Sequence, residues 1–135
     1  IYFDNLIKIP GYTSIASYIF YGCNNLRLAY LPKCTTLGAN AFYSCAALTS
    51  VYLPNCETIS TYAFYSFTSL SIISLPNCTS VSWACFRNCT NLLYTPNLPA
   101  TSLASGCYMS MFAGCTNLKA ASPLPATSLP SSCYF

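Results

Sequence analysis

The sequence predicts an α/β solenoid, in which every coil adds one short strand to a parallel β-sheet and returns through short helical or 3₁₀ turns. Three features share a period of 22 residues: a leucine-proline pair, a phenylalanine and a further leucine. Independent features agree on one period when a chain repeats one structural unit, and periods of this length are typical of solenoids. The three series are Leu31-Pro32, Leu53-Pro54 and Leu75-Pro76; Phe20, Phe42, Phe64 and Phe86; and Leu26, Leu48, Leu70 and Leu92.

The strand of each unit follows from the spacing of its apolar residues. Leu48, Val51 and Leu53 are separated by polar or outward-facing positions, which is the pattern of a short strand with one buried face. Pro54 has no N–H to give to a sheet, so it ends the strand and turns the chain.

The return path of the same unit carries Ile59 and the pair Ala63-Phe64. A small residue beside a large one favours a helical or 3₁₀ turn packed on the strand layer. One coil cannot bury its own apolar side, so neighbouring coils must stack at about 4.8 Å and align their inward residues in columns. The other predicted inward positions are Ile7 and Ile9; Leu26, Ala29 and Leu31; Leu70, Ile73 and Leu75; and Ile15, Leu37 and Val81 on the return path.

The spacing lengthens in the last part of the sequence. Leu92 and Leu118 are 26 residues apart, and so are the Leu-Pro pairs at 98–99 and 124–125. We therefore predict one continuous solenoid with two regions, residues 1–92 with a 22-residue period and residues 93–135 with a 26-residue period. No polar capping unit is evident at either end of the pattern, so we expect the sequence to be a piece of a longer protein.

Composition narrows the range of partners. Hydrophobic residues make up 54% of the 135 residues, enough for a core, whereas charged residues make up 5%, against about a quarter in soluble domains. No apolar run approaches the roughly 18–20 residues of a membrane-spanning helix, so membrane insertion is not expected. Nucleic acid is not an expected partner either, because the cations form no basic run or patch. The five cations are Lys8, Arg27, Lys33, Arg87 and Lys119.

The repeating text resembles a known family. Residues 41–56, from Ala41-Phe42 through Cys45 and Leu48 to Leu53-Pro54, resemble the BspA-type leucine-rich repeat, whose units read roughly A-F-x-x-C-x-x-L-x-x-I-x-L-P. The longer units, such as residues 107–118, look like a variant of that family found in bacterial surface proteins. The resemblance implies a leucine-rich-repeat coil and a secreted or cell-surface protein that mediates adhesion. It implies no catalytic residues, and it says little about the ligand.

Seven of the ten cysteines fall into two columns rather than into close pairs. Phe67 takes one cysteine position, which indicates that volume and burial matter there, and free cysteine behaves as a small buried hydrophobe. We predict buried thiols, with disulfides along a column as the alternative. The resemblance to leucine-rich repeats implies that Cys56 bonds turn backbone, since those repeats place Asn or Cys at this position. Cys85 and Cys89 are the one close pair, and without a histidine they predict no metal site. The columns are Cys23, Cys45, Phe67, Cys89 and Cys115, and separately Cys34, Cys56 and Cys78.

Catalytic chemistry is not indicated. Histidine is absent, and the two carboxylates, Asp4 and Glu57, lie more than two coils apart in the sequence. General acid-base catalysis and activation of a cysteine nucleophile both need a partner that the sequence does not supply. The five glycines form no phosphate-binding loop. We therefore predict no enzyme activity and no cofactor.

Binding is expected at the outward positions of the strands, which would lie side by side on the concave face of the sheet. Tyr30 and Tyr52 are one coil apart and form an aromatic platform with hydroxyl tips, although tyrosine also simply suits a half-exposed strand. Tyr21, Tyr43 and Tyr65 form a similar row on the return side. The predicted binding face consists of Arg27, Tyr30, Thr49, Tyr52, Ser71, Ser74 and Tyr94.

Two sequons for N-glycosylation begin at Asn77 and Asn88. Both overlap the cysteine columns, which would hinder attachment, and they matter only in a glycosylating secretory pathway.

The sequence thus predicts a non-enzymatic extracellular adhesion or recognition module that binds protein or glycan. The alternative is a structural solenoid that associates end to end and builds a surface fibre or part of a phage-like fibre.

Overall fold

The computed structural model describes residues 2–3, 5–99 and 110–123, and residues 2–3 are described for their backbone alone. The described residues form short strands connected by turns. In chain order the strands are β1 (Tyr2–Phe3), β2 (Leu6–Lys8), β3 (Ser14–Ile15), β4 (Leu28–Tyr30), β5 (Thr36–Leu37), β6 (Ser50–Tyr52), β7 (Thr58–Ile59) and β8 (Ser80–Val81).

The first sheet contains the predicted parallel strands in the order β1-β2-β4-β6. Ile7 pairs with Ala29 and Ala29 with Val51, so the register between neighbours equals the 22-residue period. These three residues are buried, and the residues beside them in the strands point outward. The prediction of a parallel-strand solenoid is therefore confirmed. Strand β1 adds an antiparallel partner to β2.

A second parallel ladder, in the order β3-β5-β7-β8, runs along the return side. Ile15 pairs with Leu37, Leu37 with Ile59, and Ile59 with Val81. All four are buried in the same core cluster as the inward residues of the first sheet. Their predicted burial is confirmed, but each lies in a two-residue strand rather than beside a helix.

The predicted helical or 3₁₀ turns of the return side are wrong, because no helix occurs in the part of the chain that the structure describes. Asn40 and Ser44 have φ values of 54° and 57°, whereas a helix needs φ near about −60° at every residue. The N–H groups of Asn40, Phe42 and Ser44 donate to carbonyls of the next coil at 2.9–3.0 Å instead of continuing a helix. These bonds between coils hold the left-handed residues in place.

The turn repeats in each coil of the described residues. Its first left-handed position is occupied by Tyr18, Asn40, Tyr62, Ala84 and Ser110, and its second by Gly22, Ser44, Ser66, Asn88 and Gly114.

Stacked phenylalanine rings fill the core next to this turn. The rings of Phe42 and Phe64 are 6.1 Å apart and those of Phe64 and Phe86 5.2 Å, with interplanar angles of 5° and 12°. Phe67 meets Phe64 edge-on at 5.4 Å and is fully buried. The column confirms that the 22-residue phenylalanine series is a core feature.

The strand pattern at residues 70–75 does not form a strand in the structure. Its predicted inward residues Leu70, Ile73 and Leu75 are nonetheless buried. One cause is that Pro96, at the ladder's donor position in the next coil, has no N–H to give to the carbonyl of Ile73. Pairing resumes as a single parallel bridge between Tyr94 and Ala120, 26 residues apart. Residues 100–109 and 124–135 lie outside the described parts, and the division at residues 92 and 93 stays a prediction.

Candidate binding face

The outer face of the first sheet presents a short column of a cation and two tyrosines. The rings of Tyr30 and Tyr52 stack at 4.9 Å with an interplanar angle of 4°. Lys8 Nζ lies 5.7 Å from the centroid of the Tyr30 ring, within the range of a cation-π interaction. The next coil places the small, exposed Ser74 at this position, so the far face of Tyr52 is left accessible, and Tyr52 is 47% exposed. The period of the sequence predicts this adjacency directly.

A second outward row lies beside this column and consists of Arg27, Thr49 and Ser71. The Thr49 backbone N–H and hydroxyl both donate to the carbonyl of Arg27, at 3.0 and 3.1 Å. The Leu93 N–H donates to the carbonyl of Ser71 at 3.0 Å, so the backbone of this row is fixed between coils. Its three side chains are exposed, and Tyr94 is exposed further along the face. All seven residues of the predicted binding face therefore lie on the surface, and their role in binding stays a prediction.

A polar depression of about 400 Å³ opens beside this row. Arg27 supplies the positive charge in it, and asparagine amides supply further hydrogen-bonding groups. Ala47 is one reason for the space, since the corresponding position of later coils holds Asn91 and Asn117. There the Asn91 amide donates to the carbonyl of Thr68 at 2.6 Å. The residues around the depression are Asn5, Asn24, Asn25, Arg27 and Ala47.

The charged side chains on the described part of this face are all positive. Lys8, Arg27 and Lys119 are exposed on or beside it. Of the two carboxylates, Asp4 lies outside the described residues, and Glu57 precedes β7 on the second ladder, where its N–H donates to Thr35. The described part of the face therefore has a weakly positive potential, which favours a partner that carries negative groups.

The return side carries the second aromatic row. Tyr21, Tyr43 and Tyr65 stack at 4.9 and 4.6 Å with interplanar angles of 9° and 8°. Because each ring covers the next, the row offers ring edges and hydroxyls rather than open ring faces. The Asn88 amide donates to the Tyr65 hydroxyl at 3.0 Å, and burial together with the neighbouring Tyr65 raises the pKa of Tyr43.

The sequence pattern missed the residues that broaden this row. Trp83, 38% exposed, meets Tyr62 edge-on at 4.7 Å, and Tyr62 meets Tyr65 edge-on at 5.3 Å. Trp83 and Tyr62 occupy different positions of the repeat, so no single periodic series connects them. The left-handed turn brings them together, and its one signal in the sequence is the glycine or asparagine at Gly22, Asn40, Asn88 and Gly114.

The eight cysteines in the described residues are free thiols, and all of them except Cys85 lie in the two predicted columns. In the column before the strands, Cys45 Sγ and Cys89 Sγ donate to Phe20 and Phe64 carbonyls of the preceding coil, each at 3.1 Å. In the other column, Cys56 Sγ lies 3.5 Å from the carbonyl of Thr58. Cys56 therefore bonds to backbone as predicted, but at the first residue of β7 rather than in a turn. Cys107 and Cys133 lie outside the described residues.

The two sequon asparagines both use their side-chain nitrogens. Asn77 Nδ2 donates to the Pro54 carbonyl at 2.7 Å, and Asn88 Nδ2 donates to Tyr65. A glycan would replace one of the two hydrogens on each nitrogen and would have to fit beside these bonds, of which the second is half-buried. Glycosylation of either residue stays a prediction.

No group of three or more metal-ligating side chains occurs among residues 5–99 and 110–123. No helix within these same residues is long and apolar enough to cross a membrane.

Comparisons with known proteins agree with this architecture. Residues 4–119 match, in six copies, a family model described as the BspA type leucine rich repeat region. The fold is similar to a leucine rich cell surface protein from Faecalibacterium prausnitzii A2-165, with a TM-score of 0.73 and 23% identity over 89% of this chain and 33% of that one. It is also similar to the T. pallidum Leucine Rich Repeat protein, with a TM-score of 0.57 and 24% identity over 79% of this chain and 63% of that one. The chain therefore spans less than two thirds of either protein, and no curated protein matches significantly.

Proposed function

Because the chain belongs to the BspA-type leucine-rich-repeat family, we propose that it is a non-enzymatic recognition module that binds protein or glycan at a cell surface. The single observation that carries this proposal is the column formed by Lys8, Tyr30 and Tyr52 on the outer face of the first sheet. The proposed surface location draws on one structural relative that is described as a cell surface protein.

The tyrosine column is suited to binding because it is ordered before any partner arrives. Stacking fixes the rings of Tyr30 and Tyr52, so little side-chain entropy is lost on binding. The accessible face of Tyr52 offers an apolar surface for a sugar ring or an aromatic side chain, and its hydroxyl offers a hydrogen bond. Arg27 lies three residues before Tyr30, and with the asparagine amides around the depression it supplies donors to a carboxylate or a hydroxyl.

A structural role is the second candidate, and an apolar cavity favours it. The cavity has about 650 Å³ and lies at the first coil, where Ile7, Ile9, Ile15 and Phe20 contribute apolar walls. Ile19 is 55% exposed there, whereas Ala41 and Ala63 hold the same position of later coils and are fully buried. A further stacked coil would bury these side chains, and where that coil belongs to another molecule the solenoid extends into a fibre.

The recognition role predicts that Tyr52→Ala weakens binding at least tenfold, since an aromatic side chain at the centre of an interface contributes more than about 1.4 kcal/mol. Glycan and surface-protein arrays would identify a ligand, and titration calorimetry would measure its dissociation constant for each variant. Tyr21→Ala is the matched control, because Tyr21 is 53% exposed on the opposite side of the coil. We expect that variant to bind as the unaltered protein does.

Two outcomes would contradict the recognition role of this face. Binding lost in Tyr21→Ala and kept in Tyr52→Ala would assign the partner to the return side. Concentration-dependent filaments in electron micrographs, without binding to either array, would favour the structural role.

A further inference from the structure

The cysteine column before the strands is divided into two pairs by Phe67. Cys23 and Cys45 lie on one side of it, and Cys89 and Cys115 lie on the other. Phe67 is fully buried and packs edge-on against Phe64. Its ring separates the two pairs, and a phenylalanine ring takes no part in thiol–disulfide exchange. In each pair one cysteine is buried and the other, Cys23 or Cys115, is half-exposed.

The second pair is held together by one backbone carbonyl. Cys115 Sγ donates to the Phe86 carbonyl at 3.2 Å, and the Cys89 N–H donates to the same oxygen at 3.3 Å. Both cysteines therefore lie against the Phe86 carbonyl, Cys89 through its backbone and Cys115 through its side chain. They belong to adjacent stacked coils, and a stacking distance of about 4.8 Å falls inside the roughly 4.4–6.8 Å between α-carbons that a disulfide accepts.

We propose that Cys89 and Cys115 are a redox-active pair, in which Cys115 reacts with a small-molecule disulfide and Cys89 then closes a bond between the two coils. Cys115 is the attacking residue because solvent reaches it. Cys89 is the resolving residue because it is fully buried and its accessible partner is Cys115.

The exchange balances as two successive displacements. The Cys115 thiolate attacks one sulfur of the external disulfide, forming a mixed disulfide and expelling one thiolate. Cys89 sulfur then attacks Cys115 Sγ, the mixed bond breaks, and the second external sulfur leaves, taking up the proton of Cys89. Two protein thiols are oxidised by two electrons, and the external disulfide is reduced to two thiols.

The thiol pKa values agree with this assignment of roles. The neighbouring Cys89 thiol lowers the pKa of Cys115 despite its partial burial, whereas the pKa of Cys89 is raised. A lowered pKa increases the fraction of reactive thiolate at neutral pH. In the first pair, burial raises the pKa of Cys45 to about 12. The neighbouring Cys56 thiol also lowers the pKa of Cys34, but Cys34 is fully buried and an oxidant cannot reach it.

The test is oxidation of the folded chain with oxidised glutathione, followed by alkylation of the remaining thiols and peptide mass spectrometry. Chymotrypsin cuts after Tyr94, Tyr108 and Phe112, so Cys89, Cys107 and Cys115 fall in three different peptides. We expect the peptide that joins Cys89 to Cys115 to appear before any other link. We also expect the urea midpoint of the oxidised chain to rise and to return on reduction, since the bond constrains the unfolded chain.

Two substitutions distinguish oxidation of the proposed pair from oxidation of the cysteines in general. Cys115→Ser is expected to abolish the link and the midpoint shift, whereas Cys78→Ser, in the other column, is expected to keep both. Circular dichroism of each reduced variant checks that it folds, and Cys115→Ala replaces Cys115→Ser if that variant does not. A stable glutathione adduct on Cys115 with Cys89 still free would overturn the proposal, as would a midpoint shift that survives in Cys115→Ser or Cys115→Ala.

Discussion

Replacement of Phe64 by alanine is expected to lower the free energy of unfolding by about 3–5 kcal/mol. The ring is fully buried between Phe42 and Phe86 in the stacked column, and Phe67 packs against its edge. Removal of the ring leaves a cavity in the middle of the column, and the backbone on both sides is fixed by bonds between coils, so the site cannot easily collapse. The Phe64 N–H donates to Cys85, and the Phe64 carbonyl accepts from Cys89.

Urea unfolding followed by circular dichroism would measure this loss. Ile72→Ala is the matched control, because it also removes a large apolar side chain from a central coil, but Ile72 is 61% exposed. We expect the control to change the unfolding free energy by less than about 1 kcal/mol. Equal effects of the two substitutions would show that the phenylalanine column does not hold the coils together.

The sequence predicted the inward side of the solenoid well, because burial there follows from spacing alone. Leu48, Val51 and Leu53 occupy fixed positions of a strict period, and every neighbouring coil repeats them. Stacking then places Tyr30 beside Tyr52 without further information. Cys56 was also predictable, since a small polarisable side chain in that position can fill volume and donate to a nearby carbonyl.

The backbone conformation of the return side could not be predicted, and the cause lies in the local sequence. Thr36–Leu37 and Thr58–Ile59 are strands of two residues, which are too short to show any alternation of apolar and polar side chains. The neighbouring pair Ala63-Phe64 suits a helix equally well. What decides the conformation is the set of hydrogen bonds to the next coil, and these also allow Tyr62 and Ser66 to adopt a positive φ.

The depression beside Arg27 depends on three-dimensional packing in the same way. Ala47 lies 20 residues further along the chain, and its small side chain creates space only because the next coil stacks at this point. Periodicity shows which residues share a row. It does not show where a row is left open, because that depends on the volumes of side chains in adjacent coils.

Replacement of Gly38 by alanine is expected to destabilise the contact between the first two coils by about 3 kcal/mol, at the upper end of typical overpacking costs. A β-carbon at this position would lie 2.5 Å from the Ser17 backbone nitrogen and 2.8 Å from the Ile15 carbonyl oxygen. These obstacles are backbone atoms, so no side-chain rotation relieves the overlap. The Gly38 N–H donates to that same carbonyl at 2.9 Å, and the coils would have to separate there to admit a methyl group.

Gly11→Ala is the matched control, because nothing lies within 4 Å of a β-carbon at that position. Urea unfolding would measure the total loss, and hydrogen exchange would locate it. We expect the amides that join the first coil to the second, those of Gly38, Tyr18 and Phe20, to exchange much faster in Gly38→Ala and at the normal rate in Gly11→Ala. Unchanged protection in Gly38→Ala would mean that the backbones are farther apart than the stacked geometry requires. Faster exchange throughout the chain would show that the first coil is part of one cooperative unit rather than a separable end of the solenoid.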